Sequence, residues 1–423
     1  MRSVSDQVAA ALAAAAPMAP LDVVLADAAG CVLAEDLTAD RDVPAVPVAD
    51  RDGYAVRAAD APGWDVSLPV VDDALPTSAR SRLAPGSAIL VAAGAPLPLG
   101  ADAVVALGDT DRGRARVGLR GGVRPGEGVR AAGVDARAGR VLLPEGTRLG
   151  PRHVALAAAL GRGRLWVRPA PRVVVVTIGD ELVDAGRPAR EGTVHDAAGH
   201  ALVGAAREAG ANAVRVGPVP DDRAVLREVL ADQLVRADLL VLVGGLGAGP
   251  ADSVADVLAP LGAVRVDRVA MTPGGRLGLG RVSASWTDGA DRAGGPGEPA
   301  PVPGPGDPAV LVVALPGQPV AALVSFEVVV RPVIRAMAGY SELFRPTVRA
   351  SLTAPISSPP GLTQLAPGSV VGSPAEGYTV TPLDDPGQVS LAALARANVL
   401  IALPEDHGAV HAGESVACMV LEG

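Results

Sequence analysis

The sequence predicts a doubly wound α/β domain with a mostly parallel sheet, flanked in the chain by β-rich modules. Three observations carry this. Continuous apolar runs at 172–177 and 239–243 alternate with helical patterns, as parallel strands buried on both faces require. Between about 39 and 139 the chain reads instead as short strands broken by Pro and Gly, and beyond Tyr340 that texture returns. A length of 423 residues, 49% of them hydrophobic, suffices for several such domains. With aromatics at only 2%, their cores must be filled by Ala, Val and Leu.

Each element follows in order. Residues 8–16 form an Ala-rich amphipathic N-terminal helix; Asp6 and Gln7 set them apart from a signal peptide. A turn at 27–30 joins two short strands. Runs at 88–92, 103–107 and 114–119 are strands of the β-rich module, and 147–161 is a capped Ala/Leu helix. In the α/β part, strands at 172–177, 213–216 and 239–243 alternate with helices at 198–209 and 224–235, and further strands fall at 264–270 and 310–315. Residues 288–308 lack hydrophobic periodicity and read as a solvated hairpin excursion. Strands at 347–354, 378–382, 399–403 and 415–421 make a small C-terminal β domain. The expected division is 1–38 with 140–170 as a helical and linker domain, 39–139 as an inserted β-rich domain, 171–340 as the α/β domain and 341–423 as the last.

Composition excludes several functions. A formal net charge of -9 disfavours capture of nucleic acid. The chain contains no lysine, which removes Schiff-base chemistry and a Walker-type phosphate lysine, because a guanidinium stays protonated. Cys31 and Cys418 belong to no metal-ligand spacing, and no run approaches the ~18 apolar residues of a membrane span. A reducing cytoplasm is the expected location.

Open α/β sheets bind ligands beyond the carboxyl ends of their strands. Four loops fall there: 178–182 with Gly179, Asp180 and Glu181; 244–249 with Gly244, Gly245, Gly247 and Gly249; 272–275 with Thr272, Pro273 and Gly274; and 316–319 with Pro316 and Gly317. Gly-rich loops expose backbone N–H groups that suit phosphate or another anion, although a tight turn uses the same residues. Asp180, Glu181, Asp238 and Asp252 lie at strand ends or ligand loops. Singly, each is compatible with an ordinary solvated acid; together, beside an anion site, they point to Mg²⁺-assisted phosphate chemistry.

Co-linear motifs identify a family resemblance. V-P-A-V-P at 43–47 with D-G-Y-A-V at 52–56, G-A-P-L-P at 94–98 with G-A-D-A-V-V at 100–105, and V-R-P-G at 123–126 through P-E-G-T at 144–147 resemble, in order, the segments of the molybdopterin molybdenumtransferases, the family of bacterial MoeA and the C-terminal part of gephyrin. G-D-E-L at 179–182, A-D at 237–238 leading to Gly245, G-P-A-D at 249–252, P-G at 273–274, P-G-Q-P-V at 316–320 and A-L-A-R-A-N at 393–398 continue the match across almost the whole chain. The resemblance implies an elongated four-domain homodimer with a MogA-like α/β domain that takes adenylylated molybdopterin and molybdate, releases AMP with Mg²⁺ assistance and leaves molybdenum on the dithiolene. It further implies that Glu181, with Asp180, and Asp252 orient Mg²⁺ and water, that Asp238 belongs with these carboxylates, that amides of residues 244–249 hold the adenylate or pterin phosphate, and that Asp52 reaches the partner's site.

Departures from the family pattern concentrate at the chemistry. The lysines flanking P-G are Thr272 and Gly275, leaving Arg276 as the nearby cation; the threonine before G-A-P is Ala93; serines are replaced by Val243 and Gly247; Ser-Ala-Met before D-G-Y-A is Ala49-Asp50-Arg51. Each charge-assisted hydrogen bond so lost costs about 1.5–3 kcal/mol. Two further readings therefore stand beside molybdenum insertion: a silent homologue that binds molybdopterin as scaffold or regulator, and a transferase or hydrolase for another phosphorylated small molecule.

Overall fold

A computed structural model describes residues 1–247, 253–258, 264–283, 309–383 and 390–421. The expected excursion at 288–308 lies outside them, as do Gly249 and Asp252. The chain forms two compact units: one contains 1–21, 30–34 and 167–423, the other 22–29 and 35–166.

In the larger unit six strands build one sheet: β1 (Arg172–Ile178), β2 (Asn212–Val219), β3 (Leu239–Val243), β4 (Val264–Arg268), β5 (Arg276–Ser283) and β6 (Ala309–Leu315). Their order is β2-β1-β3-β6-β5-β4. The first four pair in parallel, and β5 runs antiparallel to both neighbours, so it alone is reversed. Alternate residues of β1 serve opposite cores. Val173 and Val175 pack with helices α2 (Ala197–Glu208) and α5 (Pro319–Ser325), whereas Val174 and Val176 pack with α3 (Arg223–Leu234) and α4 (Ser253–Leu258). This two-sided burial is the reason for the uninterrupted Val/Leu runs. Helix α1 (Val4–Ala14) also belongs to this unit: Ala11 is fully buried in the first core, and Arg2 forms a bridge to Val269.

Five later strands, Thr347–Leu352, Thr363–Ser373, Gly377–Pro382, Val399–Leu403 and Ser415–Val420, close on themselves because Thr363–Ser373 pairs with both Gly377–Pro382 and Val399–Leu403. Their inward residues, among them Leu352, Val380, Ile401 and Cys418, form a separate core. Met271–Thr272 adds in parallel to Thr363–Gln364.

The smaller unit carries a five-stranded sheet in the order Ala103–Ala106, Gly53–Val56, Ala88–Val91, Trp64–Ala74, Arg116–Arg120. Gly53–Val56 is paired on both sides and wholly buried, with Tyr54 and Val56 in one core and Ala55 in the other. Gly53 is required: a Cβ there would collide with the Val105 carbonyl.

Candidate active site

Helices α2 and α4, which follow β1 and β3, pack on opposite faces of the sheet. These two strands are neighbours, so their carboxyl ends define the switch point at which doubly wound sheets bind ligands. Ile178 ends β1 and Val243 ends β3, placing Gly179, Asp180 and Glu181 beside Gly244, Gly245 and Gly247. The next strand, β6, ends at Leu315 and delivers Pro316 and Gly317.

Close backbone approach makes these glycines necessary. Gly244 has φ +100°, and a Cβ there would strike the Ile178 carbonyl; a Cβ on Gly317 would lie 3.2 Å from Gly244 Cα. Three loops therefore meet backbone to backbone. The Gly244 N–H donates to Leu315 O at 3.1 Å, tying the second loop to the third. Gln318 caps α5, its Oε1 accepting the Ala321 N–H at 2.6 Å.

Glu181 folds back over Gly179: a Cβ at Gly179 would lie 2.5 Å from Glu181 Oε2, so any larger residue there displaces the carboxylate. Asp180 is held by Asp221, a residue sequence reasoning missed. The Asp180 N–H donates to Asp221 Oδ2 at 3.2 Å, and the Asp221 N–H donates to Asp180 Oδ1 at 3.1 Å. Asp221 precedes the Asp222 N-cap of α3, and in sequence it looks like part of that cap. Two carboxylates brought together this way, with Glu181 next in the chain, suit Mg²⁺, which is commonly bound by one or two carboxylates together with substrate phosphate oxygens. Among the described residues no three His, Cys, Asp or Glu side chains form an ion-holding group by themselves.

The excursion between Glu181 and α2 is anchored from below. Asp196, fully buried, accepts from the Gly199 N–H at 2.8 Å as N-cap, from the Thr177 hydroxyl at 2.8 Å and from Arg215 Nη1 at 2.7 Å. Arg215 also donates to Asp184 Oδ1 at 2.5 Å. That bond, ahead of the effects of other nearby charges, holds the Asp184 carboxyl below the usual range.

Thr272, which ends the short strand Met271–Thr272, and Pro273 and Gly274 lie in the connection from β4 to β5, and Arg276 opens β5. Because β5 is reversed, with Gly278 opposite Ala314, Arg276 falls at the carboxyl edge near Pro316. Its partner across the β4–β5 ladder is Arg268, a second missed residue. Directly paired residues share a face, here the one packed by α4. The signal for Arg268 exists only in the register.

Asp238 requires a correction. It precedes β3 and forms a bidentate ion pair with Arg172, which opens β1: Nη2 to Oδ1 is 2.8 Å, Nε to Oδ2 is 3.1 Å, and the Arg172 N–H adds 2.7 Å. Both residues therefore sit at the amino edge, about 16 Å from the carboxyl ends at ~3.3 Å per residue. Asp238 fastens two strands together and is not part of the candidate site.

In the smaller unit Asp52 is exposed just before Gly53–Val56, and its Oδ1 accepts the Ala93 N–H at 2.8 Å. The neighbouring charges neutralise each other: Arg51 Nε donates to Asp50 Oδ1 at 2.6 Å, and this bond holds the Asp50 carboxyl below the usual range.

Comparison with known proteins agrees with this architecture. Residues 2–161 match the MoeA N-terminal region (domains I and II), 174–336 a probable molybdopterin binding domain, and 349–421 the MoeA C-terminal region (domain IV). Molybdopterin molybdenumtransferase 1 of Mycobacterium tuberculosis is 38% identical over 98% of both chains, and molybdopterin molybdenumtransferase 2 of the same organism is 35% identical over 93% of both. The crystal structure of a molybdopterin biosynthesis MoeA protein from Pyrococcus horikosii superposes with a TM-score of 0.78 at 26% identity, covering 100% of this chain and 99% of that one.

Proposed function

The chain belongs to the molybdopterin molybdenumtransferase family, and from that premise we propose that its α/β carboxyl edge breaks the phosphoanhydride of adenylylated molybdopterin, releasing AMP as molybdate is inserted. The enzyme acts in molybdenum cofactor biosynthesis. The observation that carries the site assignment is the meeting of the Gly179–Glu181, Gly244–Gly247 and Pro316–Gly317 loops at the switch point, with Asp180 and Asp221 locked to each other on its rim.

Roles follow from charge. Backbone N–H groups of the Gly244–Gly247 loop beyond Gly244, whose own N–H is used by the Leu315 carbonyl, suit phosphate oxygens. Glu181, Asp180 and Asp252 would hold Mg²⁺, which when bound neutralises anhydride charge that the carboxylates alone repel. Glu181, folded over Gly179, is positioned to orient water toward the phosphorus; Arg276 and the Thr272–Gly274 turn face the oxyanion. The reading includes a cytoplasmic homodimer, with exposed Asp52 available to a second copy. Among the described residues no helix is long and apolar enough to cross a membrane.

The test is AMP release by the purified chain from adenylylated molybdopterin with molybdate and Mg²⁺. Glu181→Gln and Asp252→Asn are expected to lower turnover by about 10²-fold or more, the scale of lost acid–base and charge-stabilising groups. Turnover unchanged in both variants, or none in the parent, overturns the assignment.

A further inference from the structure

Between Glu181 and Asp196 the chain makes an excursion whose purpose the proposed chemistry leaves open. Val183, Arg187, Pro188, Arg190 and Thr193 line an open cleft of about 560 Å³ on it. Its walls are fixed from within. The Leu182–Val183 segment pairs with Val194–His195, the Asp196 N–H donates to Val183 O at 2.9 Å, and His195 Nε2 lies 2.8 Å from the Arg187 carbonyl. The Thr193 hydroxyl accepts the Arg190 N–H at 2.7 Å and donates to the Arg190 carbonyl at 2.9 Å.

The guanidiniums of Arg187 and Arg190 are exposed, and among the described residues neither has a hydrogen-bond or ion-pair partner. Arg187 acts electrostatically on Asp184, but Arg215 already binds that carboxylate at 2.5 Å. Two arginines lining one cleft together with the apolar Val183 and Pro188 match an organic phosphate. Guanidinium binds phosphate oxygens in a fork and stacks on planar rings. Glu181 lies two residues before Val183, so the cleft begins where the candidate site ends.

We propose that the Arg187–Arg190 cleft seats the nucleotide half of the substrate, its 5′-phosphate between the two guanidiniums and its ring over Val183 and Pro188, and that it holds AMP after the anhydride breaks. This rests on the proposed function for the identity of the nucleotide. The carboxylates of the site repel a free phosphate, and the arginine cleft offsets that repulsion for the group that must leave.

Isothermal titration of the full chain with AMP, adenosine and inorganic phosphate, in the presence of Mg²⁺, tests this. AMP should bind more tightly than either fragment. Arg187→Ala and Arg190→Ala should each weaken AMP about tenfold, and the double variant further, with a shallower salt dependence. In the AMP-release assay the same variants should raise KM for adenylylated molybdopterin more than they lower kcat. AMP affinity unchanged in the double variant overturns the proposal, as does phosphate binding as tightly as AMP. Both results are distinct from failure of the underlying reading, in which the parent chain itself releases no AMP.

Discussion

Asp196→Ala removes three hydrogen bonds from a side chain that is 1% exposed, and the consequence can be worked through bond by bond. Losing the N-cap of α2 costs about 1 kcal/mol. The Thr177 hydroxyl is left without its partner in the core, about another 1 kcal/mol, and Arg215 loses one of its two carboxylates, about 1.5–3 kcal/mol. The total is about 3–5 kcal/mol, reduced at Arg215 by its partial exposure and its remaining bond to Asp184. Hydrogen exchange on peptides covering 172–219 reads this locally, without assuming that the whole chain unfolds in one step. Amides of α2 should exchange about 10²–10³-fold faster. Removing the stranded cation as well, in Asp196→Ala/Arg215→Met, should restore part of the protection, because the penalty lies largely in the unpaired donor. Strictly additive losses in the double variant would refute the reasoning.

Asp238→Ala should cost about 1 kcal/mol or less, because Arg172 is more than half exposed, and should leave AMP release within about twofold of the parent; a tenfold fall would return Asp238 to the active site. Gly244→Ala forces a Cβ against the Ile178 carbonyl at φ +100°, so turnover should fall at least tenfold while far-UV circular dichroism is preserved. Burial pushes the Cys418 thiol up to about 11, from an ordinary value of 9, so thiol reagents at pH 8 should modify half-buried Cys31 rapidly and Cys418 only on unfolding. The sign for stability follows: the unfolded thiol ionises first, so Cys418 contributes stability below pH 9 that is lost as pH rises toward 11, an effect absent in Cys418→Ala.

The parallel strands were legible because burial on both faces leaves uninterrupted apolar runs, and their carboxyl-end loops followed from chain direction alone. The same logic applies to Asp238: an acid immediately before a parallel strand lies at the amino edge, and Arg172, the first residue of the neighbouring strand, is its natural partner. Asp221 was hidden because Asp-Asp ahead of a helix reads as a cap, and only the β1–β2 pairing brings it to Asp180. The strand Thr363–Ser373 was missed because Pro367 and Gly368 interrupt it. The glycine is needed there: Gly368 lies against Ile401 and Val380, where a side chain would not fit.

Register also decides how this chain meets an oxyanion without lysine. The turn that carries lysines in the family pattern holds Thr272 and Gly275 here, and neither replaces a charge. The β4–β5 ladder sets Arg268 opposite Arg276, with the Gly278–Ala314 pairing placing both at the edge reached by Pro316 and Gly317. Two guanidiniums on one face raise the local positive potential at that edge, and each offers a fork of donors where an ammonium offers a point charge. Arg276→Ala should therefore raise the molybdate concentration for half-maximal AMP release about 10–100-fold, the equivalent of one lost charge-assisted contact. Arg276→Lys should recover only part of this, since the charge returns without the fork. Sulfate, which has the same charge and tetrahedral shape, should compete with molybdate in the parent and much less in Arg276→Ala. Equal sulfate inhibition of both would show that Arg276 does not hold the oxyanion, and that the cation lost at Thr272 is not replaced from the neighbouring strand.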